Sequence, residues 1–110
     1  MYNVGNTVNF KSPDGVIQID ITLSDLIDIS EGKGDLYSPI EITKEILINL
    51  GFIHFPEIWY RYEDPITDFK YDLDDFHICI YGSWETKQCK HLHELQDIYK
   101  ALTGKHLILK

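Results

Sequence analysis

The chain has 110 residues, 44% of them hydrophobic and 13% aromatic, and a formal net charge of −8. That length suits one domain with a modest core, and the aromatic content argues against intrinsic disorder despite the charge. No apolar run approaches the roughly 20 residues of a membrane span, the opening Met-Tyr-Asn-Val-Gly-Asn lacks a basic, apolar leader, and two cysteines, Cys79 and Cys89, are too few for a secreted disulfide framework, so a soluble cytoplasmic protein is expected.

In chain order, residues 7–10 and 16–21 read as strands around Ser12-Pro-Asp-Gly15, where Pro at i+1 and Gly at i+3 suit a type I turn. Residues 23–29 fit either period: Leu23, Leu26 and Ile27 suit a helical turn, whereas Ile27 and Ile29 continue a strand. Residues 31–35, Glu-Gly-Lys-Gly-Asp, read as a loop between an N-terminal β element and the rest. A helix over 44–50 follows, with Thr43 as N-cap and Glu45 in its first turn. Ile42 and Leu47 form a hydrophobic staple, and Gly51 is the left-handed stop, with Phe52 packing back on Leu47.

Residues 52–90 read as an antiparallel meander, with strands at 58–62, 69–73, 76–81 and 85–89. Turn signals separate them at Glu63-Asp-Pro65, Asp74-Asp75 and Gly82-Ser83. Phe69, Tyr71 and Leu73 share a face, and Phe76, Ile78 and Ile80 oppose His77, Cys79 and Tyr81. The last helix carries Leu92, Leu95, Ile98, Tyr99 and Leu102 at spacings of three and four and stops at Gly104. Residues 107–109 then return to the sheet or pack beneath it. The expected fold class is α+β: an N-terminal β-hairpin element, a short helix, an antiparallel β-meander, and a C-terminal amphipathic helix packed on the sheet. We expect one domain over residues 1–110, with the N-terminal β element in 1–30 and an α+β body in 36–110.

Charge is uneven along the chain. Residues 1–75 hold fifteen Asp and Glu against five Lys and Arg, while residues 76–110 hold three acids against five lysines and four of the five histidines. The acidic field disfavours general DNA or RNA backbone binding, but a compact phosphate-bearing ligand can be held locally. Lys87, Lys90, His91, His93 and Lys105 are the candidate phosphate contacts, with Trp59 or Trp84 to stack a base.

Other chemistry is poorly supported. His93-Glu94 starts like the H-E-x-x-H zinc helix, but Asp97 stands where its second histidine belongs. Cys89, His91 and His93 alternate, as do His77 and Cys79, without a recognised ligand spacing, so no metal is expected. Cys89 activated by His91 lacks an orienting third group. Asp64, Asp68, Asp72, Asp74 and Asp75 lack the glycine and terminal glutamate of an EF-hand. Gly32-Lys-Gly34 is too short for a P-loop, and no cofactor motif is present. A non-enzymatic protein is expected.

Ser38-Pro-Ile-Glu-Ile-Thr-Lys-Glu-Ile-Leu-Ile-Asn-Leu-Gly-Phe52, with His93-Glu-Leu-Gln96 and Ala101-Leu-Thr-Gly104, resembles a group of small proteins of Bacteroidetes genomes, prophages and gut phages. Their usual segments are P-I-x-L-T-x-E-x-L-x-x-x-G-F and V-H-E-L-Q-N-L-Y-x-A-L-T-G. Here Ile42, Leu92 and Asp97 stand for the usual Leu, Val and Asn. The resemblance covers residues 38–110 and implies a phage or mobile-element accessory protein acting in a host cell. It brings no catalytic or binding residues with it. Two functions fit that setting: a homo-oligomeric counter-defence protein that sequesters a small nucleotide immune signal, or an acidic inhibitor of a host protein, acting as a nucleic-acid mimic.

Overall fold

A computed structural model describes residues 2–54, 59–62, 69–85 and 87–109, with Trp59 described through its backbone alone. Alternation at the start of the chain produces a hairpin. Strands β1 (Thr7–Ser12) and β2 (Gly15–Asp20) pair antiparallel, Ser12 opposite Gly15, around Pro13-Asp14. Proline cannot take a positive φ, so the left-handed step falls on Gly15, at φ 125°. The register sets Val8 opposite Ile19 and Phe10 opposite Ile17, and a third strand, β3 (Tyr37–Ser38), pairs with the other edge of β1. One face of this sheet is therefore apolar: Val8, Ile21 and Tyr37 are buried there, with Phe10, Ile19, Leu26 and Ile29 packed around them.

The ambiguous segment after β2 is a helix, α1 (Leu23–Asp28). Its start is fixed by a capping box: Thr22 Oγ1 accepts from the Asp25 N–H, and the Asp25 carboxylate accepts from the Thr22 N–H at 2.8 Å. Tyr37 donates to the same carboxylate at 2.9 Å, tying α1 to the sheet. The glycine-bearing segment expected as a loop begins as a π-type turn over Ile29–Lys33, is kinked at the left-handed Gly32 (φ 98°), and continues as a 3₁₀ turn over Gly34–Leu36. Because β3 lies beyond that segment, the first sheet draws its third strand from past residue 35.

The second layer begins at α2 (Lys44–Leu50), which has the expected bounds. Thr43 Oγ1 accepts from the Ile46 N–H, and Gly51 sits at φ 104° with its N–H on the Ile48 carbonyl. Strands β4 (Phe52–His54), β5 (Trp59–Tyr62), β6 (Lys70–Asp72), β7 (His77–Ile80) and β8 (Ser83–Trp84) form an antiparallel meander in the order β4-β5-β6-β7-β8. The turn signal Glu63-Asp-Pro65 lies outside the described residues. Among the described residues of 85–89 no strand is formed. The turn falls one residue earlier than expected, on Tyr81 and Gly82, both left-handed at φ 53° and 80°, the type I′ geometry that matches hairpin twist. The ladder then ends where the Glu85 N–H meets the Ile78 carbonyl.

Register puts Phe52 opposite Tyr62, Tyr60 opposite Tyr71, and Tyr71 opposite Ile78 on one face. Against that face lie α2 and α3 (Leu92–Thr103), which bury Leu47, Leu50, Leu92, Leu95 and Tyr99 into the main core. Of the adjacent aromatics Trp59 and Tyr60, Tyr60 is a core residue, 4% exposed. Gly104, at φ 74°, ends α3, and Leu107 returns to the core without forming a strand. The fold is α+β.

The two layers meet through polar groups. Gln96 of α3, 5% exposed, accepts from the Thr7 N–H at 2.7 Å and donates to Thr7 Oγ1 and the Leu107 carbonyl, both at 3.0 Å. Thr7 Oγ1 in turn donates to Asp20 at 2.8 Å, and Asn6 donates to Asp97 at 2.8 Å. One glutamine therefore ties the first strand, the last helix and the C-terminal segment together.

Candidate functional site

The start of α3 is positioned by a backbone clamp. The Ile42 N–H donates to the Lys90 carbonyl at 3.0 Å and the Leu92 N–H to the Ile40 carbonyl at 2.8 Å, so the segment entering α2 pairs with the segment entering α3 around Glu41 and His91. His91 is thereby held extended, at φ −116° and ψ 144°, as the residue before the first helical turn. Leu92 then turns into the core, while the His91 and His93 rings lie near-parallel with centroids 5.8 Å apart.

A cleft of about 510 Å³ opens there, walled by Tyr2, Pro39, Gln88, Lys90, the two histidines and Glu94. Its groups are mixed in charge. His91 Nδ1 lies 2.9 Å from Glu94 Oε1, and the Lys90 ammonium sits over the Phe76 ring, 5.4 Å from its centroid. His93 is 9% exposed with Tyr2 edge-on against it, and its Nδ1 has no hydrogen-bond partner among the described residues. Burial holds its imidazole below the usual histidine range, with Glu94 and Asp97 opposing that shift. The α3 macrodipole adds positive potential at this end.

The sequence-derived site residues divide by place in the fold. Lys90, His91 and His93 converge on the cleft. Lys87 lines a neighbouring hollow. Lys105 follows Gly104 at the far end of α3, about 18 Å along a twelve-residue helix, and joins neither. Trp84 is also removed from the group. It pairs with Cys79, on the face opposite Ile78, whereas α3 packs on the Ile78 face; a stacking role for Trp84 at the α3 cleft is corrected by that alternation. The Trp59 side chain, Asp64 and Asp68 lie outside the described residues. Asp72 accepts from the Asp74 and Asp75 N–H groups, which is turn chemistry.

Cys89 faces inward rather than joining the histidines. It is 2% exposed, its thiol is directed at the His91 carbonyl at 3.9 Å rather than at the ring, and burial pushes the thiol up to about 12. Such a group is a poor nucleophile near neutrality. Among the described residues no three His, Cys, Asp or Glu side chains converge as a metal site, and no helix is long and apolar enough to cross a membrane.

Sequence reasoning missed Tyr2 and Pro39, which tertiary packing brings to the cleft from distant segments, and Gln88, which stands two residues before Lys90 but carries no charge to mark it. Gln96 sits inside the His-Glu-Leu-Gln segment, yet its neighbours Thr7 and Leu107 are 89 and 11 residues away. Compared with protein-family models, with curated proteins and with solved structures, the chain matches none.

Proposed function

We propose that this chain is a non-catalytic binding protein whose cleft at the start of α3 takes a small phosphate-bearing ligand. One observation carries the reading: His93 lines the cleft nine-tenths buried, with Nδ1 unpartnered among the described residues. A buried polar atom without a partner costs about 1–3 kcal/mol, a cost that a bound ligand can relieve. Lys90, His91 and the helix N-terminus supply the complementary charge. In the mobile-element setting implied by the resemblance of residues 38–110, the ligand is a nucleotide immune signal and the protein is a homo-oligomeric sponge acting in the host cytoplasm.

Calorimetry against a panel of cyclic and linear nucleotides tests the reading. Binding should weaken at least tenfold in Lys90→Glu and stay unchanged in Lys105→Glu, since Lys105 stands at the other end of α3. Glu94→Gln should tighten binding of inorganic phosphate, because it removes the carboxylate that competes for His91. An absence of heat from every nucleotide, or equal losses from both lysine changes, overturns the proposal.

A second reading, an acidic inhibitor of a host protein, is supported by apolar exposure on the acidic N-terminal layer. Val16 is 66% and Leu23 67% exposed, and Ile17 and Ile27 are nearly half exposed. It predicts a partner recovered by pull-down, released by Val16→Asp with Leu23→Asp and untouched by Lys90→Glu.

A further inference from the structure

The α3 cleft does not end at Glu94. A second hollow of about 430 Å³ lies between β7 and α3, and Gln88 and Glu94 line both, so the two are compartments of one groove. Each has the size of a small-molecule site, but their chemistry differs. The second has an apolar floor of Ile78, Ile80 and Ile98, and its rim carries Glu85, Glu94 and Asp97 against Lys87. Glu94 and Asp97 already accept from His91 and Asn6. A carboxylate accepts more than one hydrogen bond, so both retain acceptor capacity toward the hollow.

These features select the occupant. A second phosphate would meet three carboxylates and be repelled. An aliphatic chain would use the floor but desolvate rim carboxylates without pairing them. A flat, apolar body edged by N–H donors uses both. Along α3, the step from the first turn to Asp97 and Ile98 is roughly 5–9 Å, which a pentose bridges between a phosphate and a base. We infer that the groove is a nucleotide site with polarity fixed by its charges: phosphate at Lys90, His91 and His93, and an amino-bearing base between β7 and α3. This rests on the anion reading of the first compartment and adds to it the chemical class of the ligand's other half.

The test titrates the full chain with ribose 5-phosphate, adenosine 5′-monophosphate and inosine 5′-monophosphate, following affinity by calorimetry and location by amide and methyl shifts. Ribose 5-phosphate should perturb only residues 90–94. Adenosine monophosphate should also shift Ile78, Ile80 and Ile98, and bind at least fivefold tighter. Inosine monophosphate, with an oxo group for the amine, should lose most of that advantage. Glu85→Lys, a change at an exposed rim position, should abolish the adenosine preference while leaving ribose 5-phosphate binding intact or stronger. If ribose 5-phosphate binds and the adenosine ligand adds neither affinity nor shifts at the isoleucines, the base site is refuted and the anion reading stands. If the adenosine preference survives Glu85→Lys undiminished, the base site is likewise refuted. If none of the three ligands binds, both readings fail together.

Discussion

Gln96→Ala is the substitution by which the joint between the two layers can be measured. The side chain is 5% exposed and makes three hydrogen bonds, to the Thr7 N–H, Thr7 Oγ1 and the Leu107 carbonyl. Truncation leaves the Thr7 N–H and the Leu107 carbonyl without that partner in a site water reaches poorly. Each buried unsatisfied group costs about 1–3 kcal/mol, so the expected loss is about 2–6 kcal/mol, a large share of the ~5–15 kcal/mol by which small domains are stable. Urea unfolding of wild type and variant, at matched m-values, reads the difference directly. Thr7→Val, which keeps shape but removes the hydroxyl, should cost less, about 1–2 kcal/mol. The double variant should cost less than the sum of the singles, because the two residues share bonds. Hydrogen exchange should accelerate first in β1 and β2, since their attachment to α3 is what is lost. A Gln96→Ala change below about 0.5 kcal/mol, the range of surface substitutions, would show that this network does not join the layers.

Three further outcomes follow from the same geometry. Burial lowers the folded-state His93 pKa, so the unfolded chain binds more protons at that group. Stability therefore falls as pH drops through the unfolded value, about 6.5, and the fall ends below the folded value; His93→Phe should flatten that part of the pH–stability curve, and an unchanged slope refutes the assignment. Cys79 and Cys89, 1% and 2% exposed, should resist a thiol reagent at pH 8 in the native state and react rapidly in denaturant; fast native labelling would contradict the burial. Gly51→Ala places a β-carbon in open space but at φ 104°, so its cost should be the backbone cost alone, about 1–2 kcal/mol by thermal melting. Gly51→Asn should cost less than Gly51→Ala, since asparagine tolerates the left-handed region.

Local signals were legible wherever chemistry and structure lie within a few residues of each other. Thr43, Glu45 and Gly51 bracket α2, and Leu92, Leu95, Tyr99 and Gly104 define α3, because caps and period act within one or two turns. The segment 23–29 was ambiguous because its apolar residues satisfy two periods. The deciding capping box uses Asp25 in place of the usual glutamate or glutamine. The strand over 85–89 was misread because the type I′ turn uses a left-handed tyrosine, Tyr81, where glycine or asparagine is the common signal.

The candidate site divides in the same way. Lys90, His91 and His93 are together because they are neighbours in sequence, and the amino-acid order alone places them at one helix start. Separating Lys105 from them required only the length of α3. Removing Trp84 required knowing which sheet face α3 covers, which depends on strand register across β6, β7 and β8. Tyr2 and Pro39 joined the cleft, and Thr7 met Gln96, through packing between segments far apart in the chain. The sequence by itself thus determined the first hairpin, α2, α3 and the charge collected at the start of α3. Tertiary structure alone decided what stands opposite that charge: a groove of mixed charge, a His93 nitrogen without a partner among the described residues, and a glutamine joining the first strand to the last helix. Caps and periods are short-range energies, whereas burial and groove shape arise only when distant surfaces exclude water together.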